Sequence, residues 1–252
     1  MTFAPAPGAA PPSRMVLSQA VFETRLLFRN GEQVLLTMVI PLVLLGLLVA
    51  VPVVDTGPGR AVDVLVPGVL ALSVMSTAFT SLAIATGYER RYGVLKRLGA
   101  SPLPRWGLLA AKAATVLTVE AVQVVLIGTL GLLLGWRPLG SPVAVVVLLL
   151  LGTLAFAGLG LLMAGTLRAE VTLAAANLVY VVLLLTGGVV VPLERYPAAI
   201  RPFLEATPTG ALSEGLRSVL LDGAALPWPA VAVLAAWAIL GFAAAARWFR
   251  WE

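Results

Sequence analysis

Apolar residues fill six long stretches of this chain, near 34–54, 64–86, 113–135, 142–167, 171–192 and 227–246. Each is about 20 residues or longer, enough for a helix rising 1.5 Å per residue to cross ~30 Å of hydrocarbon. None alternates apolar and polar residues with a period of two, so helices are expected rather than the strands of a barrel. Pro41 and Pro67 are expected to kink or begin helices. Gly131 with Gly135, and Gly160 with Ala164, put small residues one turn apart, a spacing that lets helix backbones approach. Ahead of the first stretch, residues 15–30 carry a helical stripe of Leu17, Val21, Thr24 and Phe28, with Ser18, Gln19, Glu23, Arg25 and Arg29 on much of the remainder. This pattern predicts an amphipathic helix lying in the membrane interface, stopped by Asn30-Gly31. Residues 1–14 are Ala/Pro-rich, lack an apolar run and read as a disordered tail rather than a signal peptide. One transmembrane domain is expected over 15–252.

Composition strengthens the membrane reading. The chain of 252 residues is 60% hydrophobic and 12% charged, where a soluble domain carries roughly 25% charge. It contains no cysteine and no histidine, which excludes disulfides, thiol nucleophiles, Cys/His zinc sites, histidine-ligated haem and any Ser-His-Asp triad. No cofactor or metal is expected on this chain. The skew to arginine over lysine, with Lys96 and Lys112 the only lysines, and the Ala/Val/Leu/Gly richness suggest a high-GC bacterial genome, hence a bacterial plasma (inner) membrane.

The basic residues set the orientation. With the N-terminus inside, the inner segments hold Arg14, Arg25, Arg29, Arg90, Arg91, Lys96, Arg97, Arg105, Lys112, Arg168, Arg247 and Arg250. The outer segments hold Arg60, Arg137, Arg195, Arg201 and Arg217. Both ends are therefore expected in the cytoplasm, and the net charge of +5 is explained without nucleic acid.

Two connections are longer than a turn requires. In 88–112, Val94, Leu95 and Leu98 share one helical face, with Arg90, Arg91, Lys96 and Arg97 mostly elsewhere; Gly99 is a natural stop, and Pro102 and Pro104 break the chain before Arg105-Trp106. A short amphipathic helix is expected at about 89–98. A solvated basic loop touching anionic membrane lipid and a docking helix for a partner both fit this chemistry. In 193–226, charges are too frequent for a seventh span. Thr207-Pro208 starts a helix, Leu212, Leu216, Val219 and Leu220 form a stripe, and Asp222-Gly223 stops it. Two short external helices, near 197–205 and 208–221, are expected to dip into the outer leaflet or cap the bundle; an interfacial surface loop is the alternative.

Polar residues inside the spans are few. Glu120 is the one carboxylate deep in a span and must face the bundle interior, a partner or water, or be protonated. Gln123 follows one turn on, and Asn177 and Tyr180 share a face of the fifth span. These four are the candidates for a substrate pathway. Hydrogen bonding between helices explains Glu120 equally well, and packing explains Asn177 and Tyr180. Ser73, Ser76, Thr77, Thr80 and Ser81 can line a pathway or satisfy helix carbonyls locally.

The stretch ER-x-x-G-x-L-x-x-L-x-A-S-P-L from Glu89 to Leu103, followed by Arg105-Trp106 and Lys112, resembles the loop between spans two and three of ABC-2 type exporter permeases. The stretch from Gly187 to Leu220 is similar to the family's segment after span five. The N-terminal interfacial helix and six-span order agree, so the resemblance covers about residues 15–250. It implies an all-α membrane fold with six transmembrane helices, an interfacial helix, a cytoplasmic coupling helix and an external helical hairpin between spans five and six. It also implies a permease that pairs with a second copy or a paralogue and engages a cytoplasmic ATPase subunit, which carries the ATP and magnesium. The segment Glu89, Arg90, Arg91, Val94, Leu95, Lys96, Arg97 and Leu98 would fit a groove on that ATPase. No G-x-x-x-x-G-K-[ST] phosphate loop occurs here, so ATP hydrolysis is expected from a separate chain. A proton-coupled secondary transporter using Glu120 and a non-transporting membrane scaffold are the other classes. An intramembrane aspartyl enzyme lacks its second acid.

Overall fold

The structure, a computed structural model, describes residues 10–51 and 60–249. Most of the expected tail, the last residues of the expected first span (52–54) and Arg250 lie outside the described residues. Helix α1 spans Pro12–Arg29 and so begins inside the stretch read as tail. Six helices long and apolar enough to cross a membrane follow: α2 (Gly31–Ala50), α3 (Ala61–Arg91), α5 (Arg105–Leu133), α6 (Pro142–Thr166), α7 (Ala169–Thr186) and α10 (Trp228–Trp248). Between them lie α4 (Val94–Gly99), α8 (Arg201–Glu205) and α9 (Pro208–Leu220). No strand occurs among the described residues.

Local chemistry sets most boundaries. Asn30 leaves the helical region and its side chain accepts the Gln33 N–H at 3.3 Å, which closes α1 and opens α2. Thr207 caps α9 by accepting the Gly210 N–H at 3.1 Å, with Pro208 in the first turn. Gly135 ends α5 at φ 90°, so it closes a helix instead of forming a packing face with Gly131. The expected third span starts eight residues early, because Pro104 opens a helix that runs from Arg105 through the interface into the membrane. The expected fifth span stops at Thr186, where Gly187-Gly188 turns the chain.

Helix α3 is the axis of the bundle and is buried along nearly its whole length. Helices α2 and α5 pack on one side of it, α6 and α7 on the other, and α10 lies outside α6. Small residues set the closest crossings. A Cβ on Gly160 would stand 3.0 Å from the Phe79 carbonyl, and one on Gly158 2.9 Å from the backbone of Phe242. Pro41 and Pro67 both lie inside spans. Pro41 follows a widened π-turn at Leu35–Val39. It has no N–H for the Thr37 carbonyl four residues back, and Gln123 Nε2 donates to that carbonyl at 2.6 Å. Gln123 thus satisfies a break in a neighbouring helix, where an unpaired carbonyl would have no water to bond.

Candidate functional site

A cleft of about 510 Å³ opens between α2, α3 and α7. Gln33, Leu36 and Ile40 form one wall, and Ser76, Thr80 and Tyr88 of α3 form the floor. Leu173, Asn177 and Tyr180 form the other wall, so the i, i+3 pair read from the sequence does face a common space. Glu32 stands at the mouth. Hydrogen-bonding groups without charge alternate here with aliphatic ones, an arrangement that accommodates a molecule with hydroxyl or amide groups on an apolar frame.

A smaller cavity of about 180 Å³ lies beside the cleft and shares Asn30, Gln33 and Ser81 with it. Gln33 Nε2 donates to Ser81 Oγ at 2.9 Å, so this hydrogen bond stands in the partition between the two spaces. The smaller cavity is lined by Glu23 of α1, Glu89 of α3 and Lys112 of α5. Lys112 Nζ is 2.6 Å from Glu89 Oε2 and 3.7 Å from Glu23 Oε1, and its side chain is buried. One cation therefore ties three helices together. Thr115 Oγ1 lies 3.3 Å from the Ala20 carbonyl, a second link between α5 and α1.

Glu120 and Gln123 do not join the cleft. Both are buried halfway along α5, and they face different neighbours. Gln123 Oε1 accepts from Thr77 Oγ1 at 3.1 Å while its amide reaches α2. Glu120 Oε2 is 2.6 Å from Thr153 Oγ1 of α6, whose single hydrogen is also within reach of the Leu149 carbonyl at 2.8 Å. The geometry is that of a tie between helices. Glu120→Gln is expected to keep the fold within about 1 kcal/mol, because an amide N–H donates to Thr153 and leaves its hydroxyl hydrogen for Leu149. Thermal unfolding together with transport by the variant checks this; complete loss of transport in well-folded protein would give Glu120 a part in handling substrate.

The segment expected as one helix over 89–98 is two pieces. Glu89, Arg90 and Arg91 form the last turn of α3. The chain breaks at Tyr92-Gly93, where Gly93 takes φ 68°, and resumes as α4. Arg90 Nη1 donates to the Gly165 carbonyl at 2.6 Å and Nη2 to the Leu167 carbonyl, satisfying the end of α6. Arg91 pairs with Glu170 in the first turn of α7. These two arginines join spans two, four and five within the chain. On α4, Leu95 is 4% exposed and turned into its own protein, Val94 and Leu98 are half-buried, and Lys96 and Arg97 are exposed. The expected exposed apolar stripe is thus largely occupied by the chain itself, and α4 presents mainly its basic edge.

At the opposite end, α9 is buried on nearly every side. Arg217, placed by the sequence among the basic residues of the outer segments, is 4% exposed. It donates to the Val64 carbonyl at 3.3 Å, to the Val189 carbonyl at 3.0 Å and to Glu214 Oε1 at 2.7 Å. Burial pushes the Arg217 guanidinium below its ordinary range, and Glu214 opposes that shift. The same carboxylate oxygen accepts the Leu193 N–H at 2.9 Å. Gly68, one residue after Pro67, admits the Val189 carbonyl so closely that a Cβ there would lie 1.8 Å from it. The chain after α7, the hairpin and the outer end of α3 are thereby one unit. No motif announces this arrangement; Glu214 and Arg217, an i, i+3 pair of opposite charge on the predicted helix, were the available signal.

The sequence profile of ABC-2 type transporters matches residues 17–221. The chain is also 28% identical over 236 residues to a protein of Mycobacterium tuberculosis named probable doxorubicin resistance ABC transporter permease protein DrrC, in strains CDC 1551 / Oshkosh and ATCC 25618 / H37Rv. That alignment covers 87% of this chain and 83% of the relative. The matched region takes in α1, the first five spans and the buried outer helix α9, and on that extent this chain belongs to the ABC-2 type transporter family as a membrane subunit.

Proposed function

We propose that this chain is the permease subunit of an ATP-driven exporter in a bacterial plasma membrane, with both ends in the cytoplasm, and that its substrate moves through the cleft between α2, α3 and α7. The cleft carries the proposal: it is a polar recess in the side of an otherwise apolar bundle. Hydroxyls and amides facing lipid are unfavourable, so this side calls for a protein cover, and a second permease copy or paralogue provides it. ATP and magnesium belong to a separate cytoplasmic ATPase subunit, which meets the basic end at α4. The uncharged polar groups, the aliphatic strip of Leu36, Ile40 and Leu173, and Glu32 at the mouth suit an amphipathic substrate bearing hydroxyls and an amine. A relative named for doxorubicin resistance is consistent with that chemistry. Glu120 lies outside the cleft and is already held by Thr153, which speaks against a proton carrier there.

The test is reconstitution with the co-expressed ATPase, using doxorubicin as the probe. Asn177→Leu with Tyr180→Phe is expected to raise the probe's apparent KM severalfold and leave basal ATPase activity unchanged. ATP hydrolysis by the purified chain alone, or failure to capture any ATPase, would refute the assignment. Orientation has its own check, because the chain is free of cysteine. In whole cells an impermeant maleimide should label Glu205→Cys and spare Arg97→Cys; the reverse pattern inverts the topology.

A further inference from the structure

A second recess opens on the other face of α3. The cleft meets α3 at Ser76, Thr80, Ser81, Ile84 and Tyr88, whereas this one meets it at Leu82, on the side turned toward α5 and α6. It is a cavity of about 230 Å³ between α5 and α6, with Phe242 of α10 at one edge. Val116 and Leu161 line its depth, and Leu117, Leu150 and Leu154 form a rim, each about two-fifths exposed. Lys112 contributes its aliphatic stem, since its amino group is held by Glu89. The lining is almost wholly apolar, so water gains little there, and apolar cavities on the order of 150 Å³ already hold a benzene-sized guest.

Its dimensions match one leaflet. The α5 wall, Leu109 to Leu117, covers about 12 Å, and the α6 wall, Leu150 to Leu161, about 16 Å. Half of the hydrocarbon core is about 15 Å. The α5 wall lies in the half of the bundle next to its basic end, and the α6 wall runs from that half to about one turn past the middle of its helix, where Thr153 stands level with Glu120. At that end Arg168 follows α6 and Arg247 sits in the last turn of α10, both exposed. Trp106 and Trp248, also exposed, stand at the same level, as interfacial anchors do.

We propose that this recess seats one acyl chain of an anionic phospholipid of the inner leaflet, with Arg168 and Arg247 drawing its phosphate to the basic end. A lipid suits this flank better than a second copy of the chain: the polar cleft needs a protein cover, and this face is compatible with hydrocarbon throughout. The choice of leaflet rests on the orientation proposed above; the site itself does not. Native mass spectrometry of the full chain, titrated with phosphatidylglycerol and phosphatidylcholine of identical chains, tests it. One phosphatidylglycerol should be retained in preference to phosphatidylcholine. Arg168→Gln and Arg247→Gln should each weaken phosphatidylglycerol about fivefold and leave phosphatidylcholine unchanged. Ala157→Phe, which fills the recess, should remove both, and the smaller Ala113→Leu should weaken both if the larger change unfolds the chain. Equal retention of the two lipids by the wild type, or filled variants that bind phosphatidylglycerol like the wild type, would overturn the proposal. So would filled variants that lose dimer mass while keeping their lipid, which would make a second copy the occupant. Binding from solution has no sidedness and no transport readout, so its failure is separable from failure of the exporter reading.

Discussion

Arg217→Leu is expected to destabilise the protein by about 3 kcal/mol, the lower end of what removing one partner of a buried ion pair costs. The buried guanidinium joins Val64 of α3, Val189 beyond α7 and Glu214 of α9. Its loss takes a donor from two carbonyls and from a carboxylate that keeps the Leu193 N–H. Glu214 is partly exposed and recovers some water, which is why the lower end applies. For a chain of this size the loss corresponds to a Tm lower by roughly 6–12 °C. Arg217→Lys should recover little, because one ammonium on a flexible stem cannot serve three acceptors in the guanidinium's fixed geometry. Thermal unfolding in nanodiscs measures both variants, and an unchanged Tm for Arg217→Leu would mean that the outer hairpin is held by apolar packing alone.

Leu95→Asp should separate binding of the ATPase from folding of the membrane bundle. Leu95 is the buried residue by which α4 seats on its own chain, and burying one leucine contributes roughly 1.5–3 kcal/mol. An aspartate there would unseat a six-residue helix and displace the basic edge formed by Lys96 and Arg97. Capture of the co-expressed ATPase should fall at least about tenfold and transport with it, while the Tm of the bundle hardly moves, since few other contacts depend on α4. Arg97→Glu should act differently, slowing association and changing its salt dependence more than its final extent. Intact capture after Leu95→Asp would remove α4 from the ATPase interface.

The helix at the N-terminus, the six apolar spans and the short helices around 201–220 were legible from the chain because they rest on local terms. Span length, helical periodicity, Asn30 and Thr207 as caps, and prolines and glycines at breaks all act within a few residues. Asn177 and Tyr180 were legible as a pair because i, i+3 spacing puts two residues on one face whatever lies opposite. The basic segment was legible in composition but not in form. Its sequence pattern predicts one continuous helix, whereas Gly93 in the left-handed region divides it, and Arg90 and Arg91 are drawn away by the unpaired carbonyls of α6 and by Glu170.

What a polar side chain does inside this bundle depended on the tertiary structure. Gln123, Glu120 and Lys112 lie along a single helix within about three turns, and the sequence makes the first two candidates for a common path and counts the third among the inner basic residues. Packing sends them to three partners: the carbonyl freed by Pro41, Thr153 of α6, and the carboxylates of α3 and α1. Hydrocarbon explains both outcomes. It offers no hydrogen bonds, so every span must be a long apolar helix, and that requirement is written residue by residue in the sequence. For the same reason each isolated polar group must find its partner on another helix, and which helix stands opposite was decided only when the spans packed around α3.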